Sequence, residues 1–176
     1  MSEATTPNAV TLHPAEPEDE SFLAAVYGST REQELAMVPW DAAQREAFIL
    51  SQFTAQRTHY QTEYPQAKDS IIMLGDQPAG RIYIDRRESE IRILDFTLLP
   101  AFRGQGMGTP ILRRVMDEAA QAGKRVSINL DAFSTSHQLF ERLGFKPAES
   151  TGFHTLFVWN PDAEDVANDG ITTEAG

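Results

Sequence analysis

Along this chain the apolar positions change period from helical to alternating and back again. Between Glu18 and Arg31, Phe22, Leu23, Val26 and Tyr27 fall on one side of a helix. After Pro39, Asp41 is placed to cap a longer helix reaching Tyr60, around which Phe48, Ile49, Gln52, Phe53 and Gln56 wind. The pattern then becomes that of strands. Ser70–Leu74, Ala79–Asp85 and Ile91–Leu99 are rich in β-branched and aromatic residues, and Gly75-Asp76-Gln77-Pro78 and Arg86-Arg87-Glu88-Ser89 separate them as turns, so they read as an antiparallel meander. Helical spacing returns at Ile111, Leu112, Val115, Met116, Ala119 and Ala120, with Arg113, Arg114, Asp117 and Gln121 on the other face and Gly123 as C-cap. Arg125–Leu130 reads as a buried strand, Ser134 or Thr135 as the cap of a helix to Leu143, and Lys146–Glu149 and Phe153–Trp159 as closing strands. With Val10–His13 as a first strand closed by Pro14, the expected order is β-α-α-β-β-β-α-β-α-β-β, a mixed α/β chain.

The ends of the chain lack such patterns. Residues 1–9 are small and polar, and residues 161–176 carry Asp162, Glu164, Asp165, Asp169 and Glu174 with little to bury. Both ends are expected to be disordered, with one folded domain over residues 10–160. A chain of 176 residues with 41% hydrophobic content can bury a single compact core. No run approaches the roughly 20 apolar residues that cross a bilayer, and Met1-Ser2-Glu3-Ala4 opens without a basic region ahead of an apolar one. The expectation is a cytoplasmic protein with no membrane partner.

A formal charge of −11 argues against a nucleic-acid partner, because phosphate backbones are held by clustered Lys and Arg. It suits a cationic or amine-bearing ligand, or serves solubility alone. The chain has no cysteine, which excludes disulfides, thiolate metal sites and a cysteine nucleophile. His13, His59, His137 and His154 show no metal-ligand spacing, so no metal is expected. Ser136-His137 has no Gly-x-Ser-x-Gly around it and is not a nucleophile elbow.

Chemistry concentrates between Leu98 and Gly123, which reads as strand, glycine-rich turn and helix. The unpaired amides of a helix's first turn lie at the positive end of its dipole and bind phosphate oxygens. Gly104, Gly106 and Gly108 let the main chain approach such an anion closely, and Pro110 fits a first turn, where its missing N–H has no intrahelical partner. Glycines in this pattern also serve as a tight turn and nothing more. There is no Gly-Lys-Ser/Thr ending for a Walker A loop, and the spacing G-x-G-x-G is not the G-x-G-x-x-G of dinucleotide folds.

Arg103, Gly106 and Gly108 match the Arg/Gln-x-x-Gly-x-Gly/Ala signature of the GNAT superfamily of acetyl-CoA-dependent N-acetyltransferases, which this sequence resembles over roughly residues 10–160. Leu139-Phe140-Glu141-Arg142-Leu143-Gly144-Phe145 resembles a second block of the family, Leu-Tyr-x-x-x-Gly-Phe. The resemblance implies the acyl-CoA N-acyltransferase fold, a mostly antiparallel central sheet flanked by helices, and acetyl-CoA as acyl donor. It assigns the pyrophosphate to backbone amides of Arg103, Gly104, Gln105, Gly106, Met107, Gly108 and Thr109, and the pantetheine arm to the strand edge at Leu98 and Leu99. It also implies direct attack of a neutral amine on the thioester within a ternary complex. The acceptor would be the primary amine of a small molecule or a peptide, and a non-catalytic CoA-binding sensor is the alternative.

Asp95, in the otherwise apolar Ile93-Leu94-Asp95-Phe96-Thr97, is the candidate base, similar to an acidic residue that diamine-acetylating members carry there. The other reading pairs it with Arg81 or Arg92. Phe140 stands where the family has a tyrosine acid, and the slot of the usual asparagine falls on Ser134 or Phe133. Ser134 would bond the carrier or simply cap the helix. The family's acceptor pocket implies a polar lining drawn from Arg31, Glu32, Glu34, Trp40, Gln44, Gln52, Gln56 and Tyr60. The exposed final strands leave a homodimer open.

Overall fold

A computed structural model of the chain describes residues 9–162; the disorder expected of residues 1–8 and of the tail from residue 163 lies outside the described residues. The fold is mixed α/β, with a seven-stranded sheet, largely antiparallel, in the order β1-β2-β3-β4-β5-β7-β6. The strands are β1 (Val10–Pro14), β2 (Lys68–Leu74), β3 (Gln77–Arg86), β4 (Glu90–Leu98), β5 (Arg125–Asp131), β6 (Lys146–Thr151) and β7 (His154–Trp159). The helices are α1 (Glu20–Ser29), α2 (Glu32–Leu35), α3 (Ala42–Glu63), α4 (Gly108–Ala122) and α5 (His137–Arg142). Two compact units divide the chain: one holds residues up to Asp85 with Leu94–Met107, the other Arg86–Ile93 with the chain from Gly108.

In the first unit, β1 pairs antiparallel with β2, and β2 with β3. Asp69 faces Tyr83 and Ile71 faces Arg81 across the β2–β3 ladder, so these four side chains share one face. Onto that face pack α1 and α3, through a cluster of Leu23, Tyr27, Phe53 and Ile71. The Tyr27 and Phe53 rings lie 6.2 Å apart. The long helix begins as its sequence directs: Asp41 accepts from the Gln44 amide while the Gln44 side chain accepts from the Asp41 amide.

Several boundaries differ from expectation, each for a local reason. The helix expected over Glu18–Arg31 is a 3-10 turn at Pro17–Asp19 followed by α1, which stops at Ser29. Ser29 and Thr30 hydroxyls donate back to the carbonyls of Val26 and Tyr27 there, and the chain re-enters helix as α2. The second helix runs past Tyr60 to Glu63, and it ends because Tyr64 precedes Pro65 and takes ψ 63°. Gln77 and Pro78, expected in a turn, belong to β3, leaving Gly75 at φ 62° to carry the reversal.

In the second unit, α4 packs on β5 and buries Ile111, Leu112, Val115, Met116 and Ala119 of the stripe read from the sequence, while Ala120, expected with them, is exposed. β5 pairs antiparallel with β7, and β7 with β6. A parallel ladder between β4 and β5 runs from Glu90↔Arg125 to Ile93↔Ile128. Glu90 sits almost fully buried in it. It accepts a hydrogen bond from the Ser127 hydroxyl, and Arg92, Arg87 and Arg125 lie 3.4, 3.7 and 3.7 Å from its carboxylate. Among the described residues no helix is long and apolar enough to cross a membrane.

Candidate active site

The strand-borne part of the site lies in the first unit, on the face of β2 and β3 that α3 covers. Phe53, Gln56 and Tyr60 follow one another at helical spacing along α3 and so point the same way. Beneath them Arg81 is 1% exposed. Its Nε and Nη2 donate to the two oxygens of Asp69 at 2.9 and 2.9 Å, a bidentate pairing, and Nη1 donates to Gln56 Oε1 at 3.2 Å. The guanidinium carbon lies 5.0 Å from the Tyr83 ring centroid and 5.8 Å from that of Phe53, so two aromatic faces hold its position.

Asp95 joins this cluster from β4. One oxygen accepts from the Thr97 hydroxyl at 2.8 Å, and the other lies 3.6 Å from Arg81 Nη1, too long for a hydrogen bond but close enough for attraction. Burial pushes the Asp95 carboxyl above the usual carboxylate range. Arg81 and the Thr97 hydroxyl oppose that rise and the Asp69 charge adds to it, and the net shift is upward. Tyr60 donates its hydroxyl to the Leu94 carbonyl at 3.0 Å and packs edge-on against Tyr83 at 5.2 Å. Burial and then the Asp95 charge push its phenol well above the ordinary tyrosine range, so it stays a neutral donor.

Of the two partners weighed for Asp95, Arg81 is beside it. Arg92 instead donates to Ser127 at 2.8 Å and pairs with Glu90. The remaining acceptor candidates are dispersed. Arg31 bonds Tyr27 and Glu34, Gln44 is spent in the capping box, and Trp40 stacks on Phe48 at 5.2 Å. A groove among α1, α2 and α3 is lined by Ala24, Gly28, Leu35, Ile49 and Leu50, and among those candidates it includes Glu32.

The glycine-rich turn is built after β4. Past a 3-10 turn at Pro100–Phe102, Gly104 and Gly106 take φ of 73° and 77°, angles that L side chains avoid. A Cβ at either would meet no atom within 4 Å, so the space next to these two glycines is open. Arg103 donates Nε to the Leu98 carbonyl at 2.9 Å, and the Leu99 amide donates to Ala79 at 2.8 Å, so these two strand-edge groups are already engaged. Gln105 is exposed and bonds the Ala101 carbonyl, whereas Met107 is buried. In the second unit Gly108 and Thr109 open α4, whose first turn carries no acidic residue.

Also in the second unit, α5 starts at His137, so neither Ser134 nor Thr135 is its cap; Ser136 holds that position. Ser134 accepts from the Ser136 amide at 3.2 Å, and this local turn delays the helix. Phe140 is fully buried and meets Phe145 edge-on at 5.0 Å. Sequence reasoning missed Asp69 as a member of the cluster. The signal that could have found it is the alternation placing Asp69 and Ile71, Arg81 and Tyr83 on one face of adjoining strands.

Residues 27–160 match the family model for the acetyltransferase (GNAT) domain. Solved structures agree in fold. A PaiA N-acetyltransferase from Thermoplasma acidophilum, in complex with coenzyme A, is 13% identical, with 86% of this chain and 99% of that one covered at a TM-score of 0.65. An acetyltransferase from Thermus thermophilus is 16% identical, covers 86% and 97%, and gives 0.63. The ribosomal-protein-S18-alanine N-acetyltransferase of Escherichia coli is 19% identical, covers 85% and 91%, and gives 0.53.

Proposed function

The chain belongs to the GNAT family of acetyl-CoA-dependent N-acetyltransferases, and from that premise we propose that it acetylates the primary amine of a small molecule or peptide by direct attack in a ternary complex, with Asp95 as the base. The observation that carries this reading is the Asp95 carboxyl, half-buried, held by Thr97 and 3.6 Å from Arg81, with its pKa raised. An alkyl amine has a pKa near 10 and is mostly protonated at neutral pH, so it attacks only after losing a proton. A carboxylate that burial has made more basic takes that proton more readily than an ordinary one.

The run Arg103–Thr109 is the proposed seat of the diphosphate. Backbone amides and the start of α4 would hold it, and no side chain stands over Gly104 or Gly106 to block it. Leu98 at the end of β4 and Leu99 just past it are the proposed seat of the pantetheine arm, with Arg103 giving up the Leu98 carbonyl to a pantetheine amide while the Leu99 amide and carbonyl stay bonded to Ala79 and Phe102. When bound, acetyl-CoA supplies an acetyl group activated as a thioester. Phe140 has no hydroxyl, so no side chain at that position gives the departing sulfur a proton; a thiol of ordinary pKa, about 8.5, leaves without one. Ser134 remains a proposed carrier contact, and the cytoplasm the proposed location.

The test is the pH dependence of kcat/KM. Wild type should lose activity as pH falls through the raised pKa of Asp95, and Asp95→Asn should lose about 10²- to 10⁴-fold in kcat while still binding CoA. An Asp95→Asn enzyme with undiminished kcat would remove the base assignment.

A further inference from the structure

One guanidinium serves two carboxylates in this cluster, and it serves them unequally. Asp69 receives both bonds of the Arg81 fork at 2.9 Å, while Asp95 stands 3.6 Å from the Nη1 atom that already donates to Gln56. Exposure does not account for the difference, because both carboxylate side chains are 21% exposed. Nor does strand order, because β2 and β4 both flank β3; the Tyr83 and Phe53 rings do, by keeping the guanidinium where its Nε–Nη2 edge meets Asp69.

We propose that Asp69 is a positioning residue for the transfer reaction: by occupying the Arg81 fork it keeps that guanidinium from closing on Asp95, and so leaves Asp95 able to accept the proton of the amine. This rests on Asp95 being the base. Were the fork turned to Asp95, the carboxylate would be locked as an anion by a bidentate bond and become a poor base. The groups facing Asp95 are Arg81 from β3, Asp69 from β2, Tyr60 from α3 and the Thr97 hydroxyl from its own strand. Tyr83 adjoins Asp69 and Arg81, and Arg57 adjoins Tyr83. Asp69 therefore acts on Asp95 in two ways of the same sign, through its own charge and through its hold on Arg81.

The test uses the full chain and two readouts, the titration of the Asp95 side-chain carboxyl by carbon-13 NMR and the acid limb of kcat/KM against pH. Asp69→Asn should lower the Asp95 midpoint by about one unit or more, with the acid limb moving down with it and kcat falling. Asp69→Glu should return both toward wild type. A folded Asp69→Asn protein whose Asp95 midpoint is unchanged or raised would overturn the proposal. If that variant does not fold, Asp69→Ser decides on the same readouts, because it too empties the Arg81 fork: a lowered Asp95 midpoint supports the proposal, and an unchanged or raised one overturns it. A shifted carboxyl titration with an unmoved acid limb would instead remove Asp95 as the base and leave the hold of Asp69 on Arg81 standing.

Discussion

As the proposed base, Asp95 would serve chemistry at the expense of stability, and the two can be separated by experiment. Its folded-state pKa is raised, so the fold favours the protonated carboxyl; that contribution is full below the ordinary Asp value of about 3.9 and is lost as pH rises through the raised value. Asp95→Asn removes this penalty, and Asp69 still holds Arg81. The variant should therefore be at least as stable as wild type at neutral pH, with an advantage that grows as pH is raised from about 4, measured by denaturant titration at several pH values. A variant clearly less stable at pH 7 would mean that the Arg81 attraction outweighs burial. Asp95 stood out in the sequence as a lone acid within an apolar strand. Its partner was one of two alternatives; the structure puts Arg81 beside it, and the β2–β3 register, which pairs residues far apart in the chain, brings in Asp69.

Helix ends explain more of the motif pattern than catalysis does. The block Leu139–Phe145 closes α5: the Phe145 amide donates to the Phe140 carbonyl at 3.0 Å, the Gly144 amide to Glu141 at 3.1 Å, and Gly144 has φ 97°. This is a Schellman motif, and the Phe140–Phe145 ring pair is the apolar contact that accompanies it. The ring at 140 thus has a packing role that does not depend on a hydroxyl. At the other kind of end, Thr109→Glu should separate two effects of the α4 amides. An acid in the first turn stabilises the free protein by about 0.3–1 kcal/mol. The same charge repels a diphosphate, so CoA affinity should fall about tenfold, a loss of about 1.4 kcal/mol. Thermal shifts with and without CoA measure both, and unchanged affinity would move the diphosphate elsewhere. In the parallel ladder, burial works to raise the Glu90 pKa, but the Ser127 hydroxyl and Arg92, Arg125 and Arg87 outweigh it and bring the pKa below the usual value. The stability it contributes is present above about 4.5 and is lost as pH falls through the lowered value. Glu90→Gln should cost about 1–2 kcal/mol in chemical denaturation, because it weakens the Ser127 and Arg92 bonds while Arg87 and Arg125 are partly exposed and solvated.

At the scale of the whole molecule, element types and order were legible because periodicity reports which face of each element is buried, and α4 shows this best. What escaped was set by short-range bonds that no period records: hydroxyls ending α1, a proline ending α3, a serine turn delaying α5. The candidate site was legible in two pieces, a glycine-rich run and a lone carboxylate, whereas the Asp69–Arg81–Gln56 network around that carboxylate was not. The central claim is acetyl transfer to an amine, and the most direct measurement is release of CoA from acetyl-CoA, followed by thiol titration across polyamines, amino acids, aminoglycosides and N-terminal peptides. With no cysteine in the chain, the protein contributes no thiol signal of its own. Turnover is expected with one class of amine, lost in Asp95→Asn while CoA still stabilises the fold. Silence across the panel, together with no thermal stabilisation by CoA, would contradict it.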